Sequence, residues 1–228
     1  MTPDRPVTPT VAHGGESPDT GTGTGTDGLD TVILDLGNVL VGWDPDGAFA
    51  GLDAHEVAAW KAEVDFAAFN HAQDAGRTWA DAVAHLEATR PHLAPLAARY
   101  LHRYADTLTG PVPGSAALVD DLLAAGTRVY GLTNWAADTY HHAAEAAPAI
   151  SRLTDVLVSG REGLAKPDPE IFHLARHRFD VDASRTVFVD DVDANVAGAR
   201  TAGFHGVLFT GTPALRRALA RLGVPGAA

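Results

Sequence analysis

Residues that could act in catalysis or bind a metal lie at or just after the ends of four short apolar segments, which are far apart in the sequence. They are Asp35, Thr133, Asn134, Lys166, Asp190 and Asp191. The first of them lies within the apolar run TVILDL, where burial of an unpaired carboxylate is costly. If the three aspartates converge, they repel each other, and Mg²⁺ relieves that repulsion because this small hard cation prefers oxygen ligands.

The same residue types predict a reaction. A divalent cation with a lysine beside it makes a strong site for a phosphoryl group. A carboxylate held next to that metal can act as a nucleophile and form an aspartyl-phosphate. Taken singly, Asp190 and Asp191 could instead cap the next helix, and Thr133 with Asn134 could form an ordinary turn. The chemical interpretation therefore depends on convergence.

Five continuously apolar runs are predicted to be the strands that position these residues. They cover residues 31–36, 127–133, 155–160, 186–191 and 206–211. Helical patterns lie between successive runs from the second onward, the first of them over residues 135–147. This alternation predicts an α/β fold with a Rossmann-like parallel sheet covered on both faces. Because parallel strands end at a common edge, the candidate residues are expected to meet there. Lys166 precedes a predicted helix start, with Asp168 as N-cap and Pro169 in the first turn.

The chain is predicted to divide into a tail, a core and an insertion. Residues 1–29, rich in Thr, Gly, Pro and Asp, are predicted to be a disordered tail. Residues 44–110, which we call the cap segment, show helical spacing, for example over residues 54–69, and no convincing strand. They are expected to lie over the site as a lid. Residues 30–43 and 111–228 are expected to form the α/β core.

Composition excludes several function classes. The formal net charge of −12 argues against nucleic acid as a partner, because phosphate backbones need Lys and Arg. The absence of cysteine excludes disulfides, thiol catalysis and thiolate zinc sites. No apolar run reaches the roughly 18 residues of a membrane span, and no secretory signal is recognisable, so a cytoplasmic location without membrane association is expected. The sequence does not predict the oligomeric state.

Four motifs in order resemble the haloacid dehalogenase (HAD) superfamily from about Thr31 to the C-terminus. They are ILDLGNVL, VYGLTN, GLAKPDPEIF and VFVDDVDANVAGARTAG. The spacings, 98 residues from Asp35 to Thr133, 33 to Lys166 and 24 to Asp190, resemble subfamily IA, with a helical cap after the first strand. Within it the chain looks most like small sugar-phosphate phosphatases related to α-D-glucose-1-phosphate phosphatase, and like the phosphatase domain of soluble epoxide hydrolase.

The resemblance implies specific roles. Asp35 would be the nucleophile and a metal ligand, and the carbonyl of Gly37 would also reach the Mg²⁺. Thr133 and Asn134 would bind phosphoryl oxygens, and Lys166 would balance charge on nucleophile and phosphate. Of the pair Asp190 and Asp191, the second is expected to ligate the metal directly, with the first behind it or bound through water.

One position departs from the family pattern. Most of these phosphatases carry a second aspartate two residues after the nucleophile as general acid and base, and here that residue is Gly37. A well placed general acid is worth about 10²–10⁴-fold in rate. Asp44 is a candidate substitute, with the start of the first cap helix as its alternative role. Trp135 is a candidate for facing the substrate.

The predicted function is a Mg²⁺-dependent phosphatase acting on a small phosphorylated metabolite, with a sugar phosphate as one candidate. Two alternatives stay open. A 2-haloacid dehalogenase would use Asp35 on the same fold without metal, but such enzymes usually lack the acidic pair that this chain keeps at Asp190 and Asp191. A non-catalytic phosphate-binding or interaction protein would have lost turnover with the change to Gly37.

Overall fold

The computed structural model describes residues 28–227, so the predicted tail lies almost wholly outside the described residues. Within that range the strands are β1 Thr31–Leu34, β2 Val41–Trp43, β3 Leu108–Pro111, β4 Arg128–Thr133, β5 Val156–Val158, β6 Thr186–Asp190 and β7 His205–Leu208. The α-helices are α1 Ala54–Val64, α2 Phe66–Asp74, α3 Trp79–Thr89, α4 Ala94–His102, α5 Ser115–Ala124, α6 Ala143–Ala146, α7 Ser159–Glu162, α8 Pro169–Arg178, α9 Asp193–Thr201 and α10 Thr212–Arg221.

The main sheet is parallel throughout, with the strand order β5-β4-β1-β6-β7. The first strand lies at its centre, where Val32 pairs with Val129 on one side and Val187 on the other. This confirms the predicted Rossmann-like α/β fold. The central position also explains the continuous apolar run, because both faces of β1 are covered.

The two faces of the sheet bury separate apolar clusters. Val32 and Leu34 belong to the larger cluster, which extends into the cap segment, whereas Ile33 packs into a smaller one with residues of α8 and α9. Alternate residues of one strand thus point into opposite layers, as the period of two in a strand requires. All three side chains have no exposed surface, which fixes the register of β1 and the position of Asp35.

The cap segment contains the four helices α1 to α4. Its end forms the strand β3, although the sequence predicted no strand there. Strand β3 pairs antiparallel with β2, so two short strands join the segment to the core. The sequence LTGP of β3 carries both Gly and Pro, which are depleted in strands, and so gives little strand signal. It forms because the chain entering the cap segment lies beside the chain leaving it.

Two predicted helices differ in the structure. The helical pattern over residues 54–69 is broken at Asp65, which adopts a left-handed conformation with φ 52° between α1 and α2. The predicted helix over 135–147 is reduced to a 3₁₀ turn at Tyr140–His142 and the single turn of α6. There the backbone of Trp135 bonds across to the core instead: its N–H donates to Ser159 Oγ and its carbonyl accepts from Gly160.

An aromatic cluster holds the cap helices together. The ring of Trp79 stacks on Tyr100 with centroids 4.6 Å apart and meets Phe69 edge-on at 5.6 Å. The backbone N–H of Trp79 also donates to Asp138 Oδ2 in the core at 2.8 Å. One residue therefore packs the cap segment internally and ties it to the loop after β4.

None of the helices in the described part of the chain has both the length and the apolar character needed to span a bilayer.

Replacing Trp79 by alanine is expected to lower the free energy of unfolding by about 3–5 kcal/mol, because a fully buried indole leaves a cavity that its neighbours fill only partly. Urea denaturation followed by circular dichroism measures the loss. Leu222→Ala is the control, since this leucine is 38% exposed. Equal losses in the two variants would contradict the role given to the aromatic cluster.

Candidate active site

Three carboxylates meet at the carboxyl edge of the main sheet. Asp35 follows β1 directly, and its N–H donates to the carbonyl of Val189 at 2.8 Å, which continues the strand ladder by one residue. Asp190 ends β6, the neighbouring strand, and Asp191 follows it. One oxygen from each of the three lies within 4.8 Å of the others. The structure thus brings together groups that are up to 156 positions apart in the sequence.

Lys166 extends its ammonium group between two of these carboxylates. Its Nζ lies 2.6 Å from Asp190 Oδ2 and 2.9 Å from Asp35 Oδ1, and it donates a hydrogen bond to the carbonyl of Leu132 at 2.9 Å. The residue is 2% exposed, so solvent screens these interactions little. A buried ammonium is stable only when it is paired in this way.

Asp190 has both carboxylate oxygens engaged by protein donors. Oδ1 accepts from the backbone N–H of Val192 at 2.9 Å and from Asn195 Nδ2 at 3.0 Å, while Oδ2 accepts from Lys166. The side chain has no exposed surface. These contacts suit a residue that fixes the lysine better than one that ligates a metal directly.

Burial shifts the acidities of the site. Desolvation raises the pKa of Asp35 to about 7, and the positive charge of Lys166 only partly opposes it, while Asp190 adds to the rise. Desolvation also raises the pKa of the partly buried Asp191 above its ordinary value. For Lys166, burial lowers the pKa, but the two neighbouring aspartates outweigh it and the net shift is upward. The ammonium therefore stays charged at neutral pH.

The donor set fits a magnesium ion. Asp35 Oδ1 is buried and, despite its ion pair with Lys166, has no hydrogen bond of acceptable geometry among the described residues. Asp191 Oδ2 has one long hydrogen bond, from Asn38 Nδ2 at 3.2 Å. Gly37 and Asp191 line the same cavity as Asp35. Carboxylate and carbonyl oxygens are the ligands that Mg²⁺ prefers.

The two predicted phosphoryl-binding residues are placed differently. Thr133, at the end of β4, is 1% exposed and is not among the residues that line the cavity. Asn134 lines the cavity, but its side chain is bound to the lysine loop: Nδ2 donates to the carbonyl of Lys166 at 2.9 Å, and Oδ1 accepts from its N–H at 2.8 Å. The amide of Asn134 thus holds Lys166 in register with β4.

A cavity of about 220 Å³ lies between these core residues and the cap segment. It exceeds the roughly 150 Å³ that accommodates a benzene ring. Aromatic side chains that line it are Trp43, Tyr104 and Trp135, and polar ones from the cap segment are Asn70 and Asp74. Trp135 therefore lines the cavity, as its candidate role requires. The space fits a small ligand with one ring or a short chain.

Asp44 is not among the residues that line this cavity. Its Oδ1 accepts from the N–H of Asp46 at 2.9 Å, which caps the 3₁₀ turn Pro45–Phe49 at the start of the cap segment. Its alternative role, beginning the first helical turn, is the one that the structure shows.

Sequence reasoning missed four residues of the site. They are Asn38, Asn70, Asp74 and Asn195. Asn38, with φ 55°, donates to Asp191 and accepts from the N–H of Trp43, and an asparagine after glycine is a signal for that left-handed conformation. Asn195 lies five residues after Asp190 on α9, a spacing that could have suggested a contact. Asn70 and Asp74 gave no such signal.

A family model described as haloacid dehalogenase-like hydrolase matches residues 29–203. The chain therefore belongs to this family of hydrolases, as its four motifs predicted.

Individual similarities add detail. The sesquiterpene phosphatase AstK of Aspergillus oryzae is 32% identical over 93 residues, which are 41% of this chain and 47% of that protein, so the match spans about half the relative's length. A HAD family enzyme of Bacteroides thetaiotaomicron, in complex with magnesium and inorganic phosphate, superposes with a TM-score of 0.62 at 19% identity, covering 81% of this chain and 96% of that one.

The L-2-haloacid dehalogenase of Xanthobacter autotrophicus superposes with a TM-score of 0.53 at 20% identity, covering 77% of this chain and 75% of that one. At these identities the structural likenesses show a shared fold.

Mg²⁺ is expected to raise the melting temperature of the wild type, because a ligand that binds the folded state stabilises it by mass action. In Asp35→Asn the rise should be smaller. The metal-free variant should itself melt higher at pH 8, where Asp35 is ionised in both states and its burial destabilises the fold. That gain should fade as pH falls from about 7 towards 3.8, because protonation removes the buried charge.

Differential scanning calorimetry with and without Mg²⁺ measures both effects. Glu87→Gln, which removes an exposed carboxylate from α3, is the matched control and should respond to Mg²⁺ as the wild type does. An equal Mg²⁺-induced shift in Asp35→Asn would remove Asp35 from the metal site.

Proposed function

We propose that this hydrolase is a Mg²⁺-dependent phosphomonoesterase that acts on a small phosphorylated metabolite through an aspartyl-phosphate on Asp35. The observation that carries the proposal is the buried ammonium of Lys166 beside Asp35, in a cavity that also exposes Asp191. Three carboxylates against one ammonium leave a formal excess of negative charge. That excess suits a divalent cation, and the cation in turn suits a phosphoryl group.

Each residue then has a defined role. Asp35, the carbonyl of Gly37 and Asp191 would hold the Mg²⁺, and Asp190 would contribute behind them by fixing Lys166. When bound, the metal would offset charge on the phosphoryl oxygens. Thr133 and the backbone beyond it would contact those oxygens, since the side-chain amide of Asn134 is engaged by the lysine loop.

The reaction would proceed in two displacements. A carboxylate oxygen of Asp35 attacks phosphorus, and the bond from phosphorus to the substrate oxygen breaks. Lys166 stays charged throughout and stabilises the negative charge that nucleophile and phosphoryl group share. Water then attacks phosphorus, releases phosphate and regenerates Asp35.

We further propose that residues 44–110 act as a cap over a core of residues 30–43 and 111–228. The cavity between them has aromatic walls and two polar groups, Asn70 and Asp74, on the cap side. Small-molecule sites commonly combine apolar walls with a few such groups that fix orientation. A sugar phosphate, whose leaving group carries hydroxyls, matches that lining.

Purified protein is expected to hydrolyse p-nitrophenyl phosphate with Mg²⁺, and EDTA should stop the reaction. Asp35→Asn should lower kcat by about 10⁴-fold or more, as loss of a nucleophile does elsewhere, while Glu87→Gln should keep the wild-type rate. A panel of sugar phosphates and prenyl phosphates, assayed by phosphate release, then identifies the substrate class.

Three outcomes would contradict the proposal. Halide release from chloroacetate in the presence of EDTA would indicate a dehalogenase. Mg²⁺ binding without turnover on the whole panel would indicate a phosphate-binding protein. Full activity in Asp35→Asn would show that another residue attacks phosphorus.

A further inference from the structure

We propose that Asp74, from the last turn of α2 in the cap segment, is the general acid and base of this active site. The inference rests on the proposed function, because it concerns the oxygen that leaves phosphorus. A sugar or alkyl alkoxide is a poor leaving group and needs a proton as its bond breaks. The residue two positions after the nucleophile, Gly37, has no side chain to supply one.

The cavity lining leaves few proton donors. Asp35 is assigned to the attack on phosphorus and Asp191 to the metal, while Lys166 is paired with Asp35 and Asp190. Burial raises the pKa of Tyr104 well above its ordinary value, which makes its phenol a weak acid. Asp74 is the lining carboxyl, within residues 28–227, that has no other assignment.

Asp74 is positioned where a leaving group would be. It lines the same 220 Å³ cavity as Asp35 but comes from the cap side, whereas the nucleophile comes from the sheet. A phosphoryl group on Asp35 would therefore direct its departing oxygen away from the core, towards the cap. Asn70 Nδ2 donates to Asp74 Oδ2 at 3.0 Å, one turn earlier on α2, and fixes the orientation of the carboxyl group.

The surroundings of Asp74 suit proton transfer near neutral pH. Desolvation raises its pKa to about 7; the positive charge of Lys166 opposes the rise and the negative charge of Asp35 adds to it. The phenols of Tyr100 and Tyr104 are also near it: burial raises the pKa of both, and the negative charge of Asp74 adds to the rise. A general acid works best when its pKa lies near the operating pH.

Both displacements balance with Asp74 as the proton carrier. In the first, Asp35 forms a bond to phosphorus, the leaving oxygen takes the electron pair of its broken bond, and protonated Asp74 gives that oxygen its proton. In the second, the Asp74 carboxylate takes a proton from water as the water oxygen bonds to phosphorus. The bond to Asp35 breaks with its electron pair on the carboxylate, and Asp74 is protonated again.

Position 37 offers a direct way to test the substitution. A Cβ built on Gly37 meets no atom within 4 Å, and its backbone is outside the left-handed region. Position 37 therefore accepts a Cβ without backbone strain, and we expect the backbone carbonyl to keep its place in Gly37→Asp. If the cap carboxyl does the work that such an aspartate would do, Gly37→Asp should compensate for its loss.

The experiment compares kcat/KM on two substrates for wild type, Asp74→Asn, Gly37→Asp/Asp74→Asn and the control Glu87→Gln. One substrate is p-nitrophenyl phosphate, whose phenolate leaves without a proton, and the other is the best alkyl or sugar phosphate of the panel. kcat/KM reports steps up to departure of the leaving group. Asp74→Asn is isosteric and removes a carboxyl that is costly to bury, so the variant should fold, which circular dichroism checks.

Asp74→Asn is expected to lower kcat/KM by about 10²–10⁴-fold on the alkyl substrate and by less than about tenfold on p-nitrophenyl phosphate. With the latter, stopped flow should show a burst of p-nitrophenolate followed by slow turnover, because hydrolysis of the aspartyl-phosphate lacks its base. The double variant should recover at least about tenfold on the alkyl substrate, and Glu87→Gln should match the wild type.

Equal losses on the two substrates would overturn the inference, because they would indicate a role in binding or structure. An unchanged alkyl rate in Asp74→Asn would overturn it too, since the proton would come from elsewhere. If instead the wild type turns over neither substrate, the proposed function fails first and this inference falls with it.

Discussion

The interaction on which the site depends is the buried ion pair of Lys166 with Asp35 and Asp190. An ammonium and two carboxylates removed from solvent are unfavourable one by one, and they are tolerated only when they are paired with each other and supported by further hydrogen bonds. That requirement explains the surrounding contacts: Leu132 contributes a carbonyl to Lys166, Asn195 and the backbone of Val192 saturate Asp190, and Asn134 clamps the lysine backbone. The order of the strands serves the same pair, because it places β4, β1 and β6 side by side.

The ion pair leaves two of the three carboxylates of the site without full compensation of their negative charge. Asp190 is satisfied by protein donors, but Asp35 has a buried oxygen without a well-formed hydrogen bond, and Asp191 has a single long one. Burial raises the pKa of Asp35 to about 7, which means that the charged carboxylate destabilises the folded state and that Lys166 compensates for it only in part. An unfavourable buried charge of this kind is typical of functional sites, where reactive groups lower the stability of the fold. A divalent cation would supply the missing positive charge, and a phosphoryl group would then bind to that cation.

Much of this arrangement could be predicted because the carboxyl ends of parallel strands all lie at the same edge of the sheet. Asp35 and Asp190 could be placed from their strands alone, and Asp168 caps α8 as its position before Pro169 indicated.

The contribution of the cap segment could not be predicted in the same way. Asp74 reaches the cavity from α2, which is separated from α1 by the left-handed Asp65, and an aspartate within a helical pattern gives no reliable signal of such a break. The segment after Asn134 was mistaken for a helix because its backbone partners, Ser159 and Gly160, lie in a different strand connection.

The position that we propose for the general acid, on α2 rather than on the loop after Asp35, would have a mechanistic consequence. A proton donor on the nucleophile loop would be in place at all times, whereas one on α2 is in place only while the cap segment lies against the core. The N–H of Trp79 bonded to Asp138, and the close approach of Gly76 to Gly163, hold that position in this structure, since a Cβ on Gly76 would lie 3.0 Å from Gly163 Cα. With Asp74 as the acid, as we propose, protonation of the leaving group would be coupled to the cap segment lying against the core around the substrate. A substrate too large for the cap segment to lie against the core would lose its phosphoryl group slowly, even if that group reached Asp35. Selectivity would then arise at the chemical step as well as in binding.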